Sequence, residues 1–457
     1  MLRKILSGLV LLIIVGLAWL TIAPPDLIRV GANYTAKMIC SNVVLTGRNP
    51  DDVLKIDVQA PGHPLLKLMR YSIDERAGTT VVRTGLFGFI GKGLAFGTKE
   101  RGCTIVPDAR QLGIVGAHGA FIAPKVDLNN DEWPQGNTVT TDTNQELEAV
   151  LNDPALAGEG MRAIVIVKDG RIIAERYGEG FDEATPLLGW SMTKTVTAAL
   201  IGIAQKRGIL SVDDTLNFDS WRGDNRDVIR VRDLMAMVSD LEWNEGYGSV
   251  SDVTRMLYLE EDMAAFAAGK PIDSETPEPT GDIFEYSSGS SVILSKYWQN
   301  AVAKSGDPNA FPSEALFEPL GMASAVLEQG AAGNFVGGSY LYATARDWAR
   351  FGQLLLQRGA WNGVSLLPTG YVDWMTDIHP ASGGKYGRGH LWRLPPAERE
   401  TQVSELPQGT FWAAGHDGQS IAIIPENDIV IVRLGLTPSN VGYMPGKLAE
   451  AVIQATK

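Results

Sequence analysis

The chain has 457 residues, of which 45% are hydrophobic, and a formal net charge of -13. Such a length can bury a substantial core and exceeds one compact unit, so a large domain with an appendage is expected. A net field of that sign works against a general phosphate-binding role and counts nucleic acid out as a partner.

Arg3 and Lys4 precede an uncharged apolar run from Ile5 to Ala23, which Pro24 and Pro25 stop. At about 1.5 Å per residue the run spans roughly 28 Å, close to the ~30 Å of bilayer hydrocarbon and longer than a signal-peptide core. Residues 1–24 are therefore read as a membrane anchor, a cleaved signal segment being the alternative. Either reading keeps the basic flank in the cytoplasm and exports the body, with the main domain periplasmic or otherwise outside the cytoplasm. The only cysteines, Cys40 and Cys103, are candidates for a disulfide in an oxidising compartment; two unpaired small apolar side chains are the alternative. The five histidines and the two cysteines lack the spacing of a zinc site, so no metal is expected.

Residues 25–142 read as an N-terminal appendage and linker. Thr84 to Gly97 is rich in glycine, but Gly85 stands one residue too far from Gly91-Lys92 for a phosphate loop. Gly93 also occupies the place of the required Ser or Thr. The stretch is read as tightly turning backbone, and the polar segment Asp127 to Asn137 as linker.

Residues 143–457 form the main domain. Thr143 is placed as the cap of a helix through Glu146 to Leu151, and Ala163 to Tyr177 as a hairpin turning at Asp169-Gly170. A second strand pair, Gln419 to Arg433, is followed by a helix from Lys447 to Thr456, with mostly helical signals between the two pairs. The expected fold class is α+β: an antiparallel sheet made from both ends of the domain, flanked by helices, with a helical subdomain inserted.

Chemistry concentrates at Ser191-Met-Thr-Lys194. Val196, Ala199, Leu200 and Ile203 continue an amphipathic helix that stops at Gly208, which puts Ser191 and Lys194 one turn apart on one face. A serine hydroxyl becomes a good nucleophile when a neighbouring base takes its proton, and a helix N-terminus offers N–H groups to a developing oxyanion. A second copy of the spacing, Ser382-Gly-Gly-Lys385, lies among turn residues and is set aside. Tyr286-Ser-Ser288 leads into a helix-like run from Val292 to Lys304, where a phenol can point into a cleft. The similar Tyr247-Gly-Ser249 lies in a polar loop, and Trp243 and Tyr247 are read as its cleft-lining residues. His416-Asp417-Gly418 opens the terminal strand pair. Gly418 would let backbone approach a substrate, and the N–H of Gln419 would be a second oxyanion donor.

The ordered set Ser191-x-x-Lys194, Tyr286-x-Ser288 and His416-x-Gly418 resembles the three motifs of the serine β-lactamase and penicillin-binding-protein superfamily. Within it, the closest likeness is to class C β-lactamase-related esterases and 6-aminohexanoate-dimer hydrolases. Val231 to Leu241, Gly337 to Gly352 and Gly415 to Gly435 share the resemblance, which covers roughly residues 143–457. It implies that Ser191 is acylated, that Lys194 accepts its proton, and that Tyr286 relays a proton to the leaving group and later activates water. The backbone amides of Ser191 and Gln419 would form the oxyanion hole, and Ser288, His416, Asp417 and Gly418 would meet the substrate, with no metal or organic cofactor.

Two departures bear on the substrate. Many relatives carry Lys at the first position of the third motif, where a permanent cation holds a carboxylate, whereas His416 is neutral over much of the physiological range. Ser288 stands where Asn is common and offers a single hydroxyl. An amidase or esterase for small linear substrates is the first reading. A cell-wall D-amino-acid peptidase or weak β-lactamase is the second, and a noncatalytic membrane-tethered binding protein the third.

Overall fold

A computed structural model describes residues 6–8, 15–16, 18–76, 78–107, 120–141, 143–272, 281–395 and 405–457. Much of the anchor expected at residues 1–24, including Arg3 and Lys4, lies outside the described residues. Among those described, no helix is long and apolar enough to cross a membrane. The chain divides into two compact units: residues 1–119 with 244–263 and 330–333, and residues 120–243, 264–329 and 334–457.

In the first unit, helix α1 (Asp26–Thr46) packs on an antiparallel sheet of β1 (Met69–Arg76), β2 (Thr79–Leu86), β3 (Ile90–Thr98) and β4 (Gly102–Ile105), in that order. The glycine-rich stretch expected to be turning backbone is mostly strand, and its glycines serve packing. A Cβ on Gly93 would lie 2.4 Å from the backbone of Ala32, so only glycine lets the helix settle on the sheet at that point. Ala36, Ile39 and Cys40 of α1 meet Val82, Ala95 and Cys103 in an apolar core. Cys40 and Cys103 are bonded there, with Cα atoms 6.0 Å apart, tying α1 to β4. The short helix Asp252–Leu259 belongs to the same unit. The Asn33 amide of α1 donates to the Tyr258 carbonyl at 2.7 Å, and Arg255 donates to Asp26 at 2.5 Å.

The second unit is built on a five-stranded antiparallel sheet. It contains β5 (Met161–Lys168), β6 (Arg171–Tyr177), β7 (Phe411–Gly415), β8 (Gln419–Ile424) and β9 (Ile429–Gly435), in the order β7-β8-β9-β5-β6. Strands from the two ends of this unit are thus neighbours at β9 and β5, with Val430 opposite Val167. The central strands are apolar at nearly every position because both sheet faces are covered. One face packs Ile164, Ile166, Ala422, Ile424 and Ile431 against Leu147 and Leu151 of α2 (Gln145–Asn152) and against Leu448 and Val452 of the C-terminal helix Pro445–Ala455. Asn144, one residue after the expected cap Thr143, caps α2, its Oδ1 accepting from the N–H of Leu147 at 3.0 Å.

Helix Ala345–Leu356 lies on the other face, and a Cβ on its Gly352 would meet Val430 at 2.5 Å. The segment 127–137 is fastened to that helix. Trp133 is buried, and Arg350 donates to the carbonyls of Pro134 at 3.0 Å and Gly136 at 2.6 Å. This is the α+β sheet-and-helix arrangement expected from the sequence.

Candidate active site

A tight turn delivers Ser191. Gly189 lies so close to Trp348 that a Cβ would approach its ring at 2.3 Å. Trp190 follows with a positive φ of 47°, which a bulky residue adopts only when its surroundings hold it there. The N–H groups of Met192, Thr193 and Lys194 then donate to the carbonyls of Gly189, Trp190 and Ser191. Ser191 thereby stands at the N-cap of α3 (Met192–Lys206), partly exposed while the rest of the first turn is buried.

Three alternate threonines lock α3 in place. The hydroxyl of Thr195 donates to the His390 carbonyl and that of Thr197 to the Gly337 carbonyl, each at 2.8 Å, while Thr193 Oγ1 accepts from the Leu341 N–H at 3.2 Å. Lys194 is buried, and its ammonium donates to Ser191 Oγ at 2.9 Å, Ser288 Oγ at 2.8 Å and the Gly338 carbonyl at 2.9 Å. Three donors thus meet three oxygens in one fixed direction. The close approach of Gly337 makes this geometry available, since a Cβ there would meet Ser295 Oγ at 2.1 Å and Thr197 Oγ1 at 2.5 Å.

Tyr286 precedes α4 (Ser288–Val302), and the Lys194 ammonium lies 5.0 Å from its ring centroid. The ring is walled by Trp392 at 5.4 Å and Tyr386 at 5.9 Å between centroids. Tyr386 in turn reaches His390, whose Nδ1 is 3.5 Å from the Tyr386 hydroxyl and whose Nε2 is 3.3 Å from Ser291 Oγ on α4. Burial, aided by the charge of Lys194, pushes the His390 imidazole down to about 3, which keeps it neutral beside the ammonium. Gly338, Tyr386, His390 and Trp392 were not singled out in the sequence. The family-like run at Gly337-Gly338 was the only signal, since nothing local tells that Tyr386 and His390 turn inward.

The third motif joins β7 to β8. Asp417 and Gly418 take positive φ values of 57° and 82°, and a Cβ on Gly415 would lie 2.2 Å from the Gly189 carbonyl, so this corner abuts the turn that carries Ser191. The His416 ring meets Trp190 edge to face at 5.7 Å and stays 38% exposed, with Nε2 3.4 Å from Asp417 Oδ1. Burial raises the Asp417 carboxyl above its usual range, opposed by His416 and Arg162. Gln419 is buried, its amide donating to the carbonyls of His416 at 2.9 Å and Gly435 at 2.6 Å. Behind it, buried Arg433 donates to the Gly418 carbonyl at 3.1 Å. That guanidinium is spent on backbone carbonyls and on the Thr437 hydroxyl, with desolvation pushing its pKa down.

The remaining expected residues are placed differently. Ser288 is fully buried and serves Lys194. Trp243 is buried against the first turn of α4, where a Cβ on Gly289 would touch its ring at 2.6 Å, and so is packed wall instead of rim. Tyr247 falls in segment 244–263 of the first unit. Among the described residues, no group of three or more His, Cys, Asp or Glu side chains could hold a metal ion.

A family model described as Beta-lactamase matches residues 155–449. A Bacillus anthracis protein assigned as a 6-aminohexanoate-dimer hydrolase has a similar structure, with a TM-score of 0.54 and 22% identity over 74% of this chain and 86% of its own. A Bacteroides dorei protein assigned as a β-lactamase gives a TM-score of 0.53 and 20% identity, covering 70% of this chain and 100% of its own. Both likenesses bear on the fold. An uncharacterized protein of Alkalihalophilus pseudofirmus is 28% identical over 104 residues, a match that spans 29% of that relative's length and 20% of this chain.

Proposed function

This chain belongs to the Beta-lactamase family and is a serine hydrolase, and from that premise we propose that it cleaves amide or ester bonds of small substrates through an acyl-enzyme on Ser191. The observation that carries the proposal is the 2.9 Å contact between Lys194 Nζ and Ser191 Oγ, with Ser288 and Gly338 holding the lysine from behind. In its amine form Lys194 takes the hydroxyl proton as Oγ attacks the carbonyl carbon. The backbone N–H groups of Ser191 and Gln419 accommodate the oxyanion, and Tyr286 relays the proton to the departing nitrogen or oxygen as that bond breaks. Water, activated through Tyr286, then attacks the acyl ester, releasing the acid and restoring Ser191.

His416 in place of a permanent cation favours short esters and uncharged linear amides over carboxylate-bearing β-lactams. The 6-aminohexanoate dimer named for the Bacillus anthracis neighbour is one further amide to test. Export, with residues 1–24 as a membrane anchor, belongs to the same proposal. Arg3 and Lys4 followed by Ile5 to Ala23 support it.

The test is a fluorophosphonate probe on the purified chain, with the labelled peptide found by mass spectrometry. Label on Ser191 is expected, and its loss in Lys194→Ala. A folded protein labelled at another serine, or at none, overturns the proposal.

A further inference from the structure

The turn between β2 and β3 is Phe87-Gly88-Phe89, and its two aromatic side chains are 53% and 52% exposed. Their ring centroids lie 6.5 Å apart. Phe87 holds a positive φ of 54°, a conformation for which Asn or Gly is the ordinary hairpin choice. The turn's own geometry therefore does not account for phenylalanine. Leu68 adds a third exposed apolar side chain, since the Phe87 N–H donates to its carbonyl at 2.9 Å. Lys67, Arg70 and Lys92 are exposed beside these residues, and Gly88 faces the Arg70 stem, to which a Cβ would come within 3.6 Å. An apolar tip rimmed by cations stands out on a chain of net charge -13.

The course of α1 identifies what the tip meets. A Cβ on Gly91 would lie 2.8 Å from Ile28 and one on Gly93 2.4 Å from Ala32, so the helix's N-terminal end lies at the aromatic turn. The chain leaving that end passes Pro25 and Pro24 directly into the apolar run Ile5–Ala23. Ile22, near the junction, is 83% exposed.

We propose that the Phe87-Gly88-Phe89 turn, with Leu68, inserts into the interface of the lipid bilayer, the basic rim meeting anionic headgroups. Aromatic rings favour the headgroup level of a bilayer, and nearby Lys and Arg strengthen binding to anionic lipid. This rests on the reading of residues 1–24 as an anchor, and the experiment separates the two.

The full chain is reconstituted in vesicles of phosphatidylethanolamine and phosphatidylglycerol, with Phe89→Cys carrying an environment-sensitive fluorophore. The buried disulfide leaves Cys40 and Cys103 unlabelled. Lys99→Cys, on the β3–β4 turn at the opposite end of the sheet, is the control. The Phe89→Cys label should be quenched at least threefold more by headgroup-region spin-labelled lipid than the control, and less by aqueous iodide. A chain that sediments with vesicles while both labels stay equally open to iodide overturns the insertion and leaves the anchor. A chain that does not sediment overturns both. Concentration-dependent shielding of the label without lipid overturns the proposal in favour of a second copy of the chain.

Discussion

Trp190 and His416 meet edge to face with ring centroids 5.7 Å apart, so the residue before Ser191 also braces the third motif. A tryptophan at a φ of 47° is costly to hold. The contact with His416 and the close approach of Gly415 to the Gly189 carbonyl stabilise it from the sheet side. The strained turn that exposes Ser191 and the corner proposed to complete the oxyanion hole are therefore one packed unit.

Ser191→Ala and Lys194→Ala should each lower kcat/KM by at least about a thousandfold while leaving the melting temperature within a few degrees, because the two groups act as one nucleophile. Their double mutant should be little worse than either single. If the barrier increases sum, the proposed pair is wrong.

His416→Lys should raise kcat/KM for a chromogenic cephalosporin relative to a p-nitrophenyl ester, by about tenfold, since a permanent cation would then face the substrate carboxylate. Arg433 cannot already fill that role, being buried and donating to the carbonyls of Ala157 and Gly418. A wild type that prefers the cephalosporin, with no relative gain in the mutant, would reject both the substrate preference and its electrostatic cause.

His390 carries a pH signature. Its folded-state pKa, about 3, lies below the ordinary histidine value of 6.5, so the unfolded chain binds a proton that the folded chain refuses. Its neutral form contributes stability that is fully present above pH 6.5 and is lost as pH falls toward 3. Between pH 7 and pH 5 the loss from this group is about 2 kcal/mol. His390→Gln, which retains hydrogen-bonding capacity towards Tyr386 and Ser291, should therefore lose less stability than wild type over that interval in urea unfolding. Equal losses would place the histidine's titration elsewhere.

Replacing Cys40 and Cys103 by serine should destabilise the first unit by about 4 kcal/mol, the loop-entropy expectation for a bridge across a sequence separation of 63. Urea unfolding of the oxidised wild type and the double mutant measures this. Non-reducing peptide mapping of the purified, unreduced protein should recover the linked pair.

Much of this protein is determined by short-range sequence pattern. Ser191 and Lys194 stand one helical turn apart because the apolar run through Val196, Ala199, Leu200 and Ile203 folds as a single helix, buried from Met192 to Ala204, and Asp169-Gly170 turns a hairpin between two strand-forming apolar runs. Patterns of this kind depend on neighbours a few residues away, which the sequence displays directly. The Asn144 cap was missed by one residue because Thr143 offers the same side-chain chemistry.

Tertiary structure alone decided what surrounds the pair. Lys194 is aimed by Ser288 and by the Gly338 carbonyl, 94 and 144 residues along the chain. Tyr286 is walled by Tyr386 and Trp392, and Trp243 turned out buried because Gly289 leaves room for its ring. Tyr247 looks like Tyr286 as a tripeptide, yet it folds with the first unit. Such contacts are chosen by which loops the packed sheet and helices bring together, a non-local outcome of burying the whole core that no local spacing records.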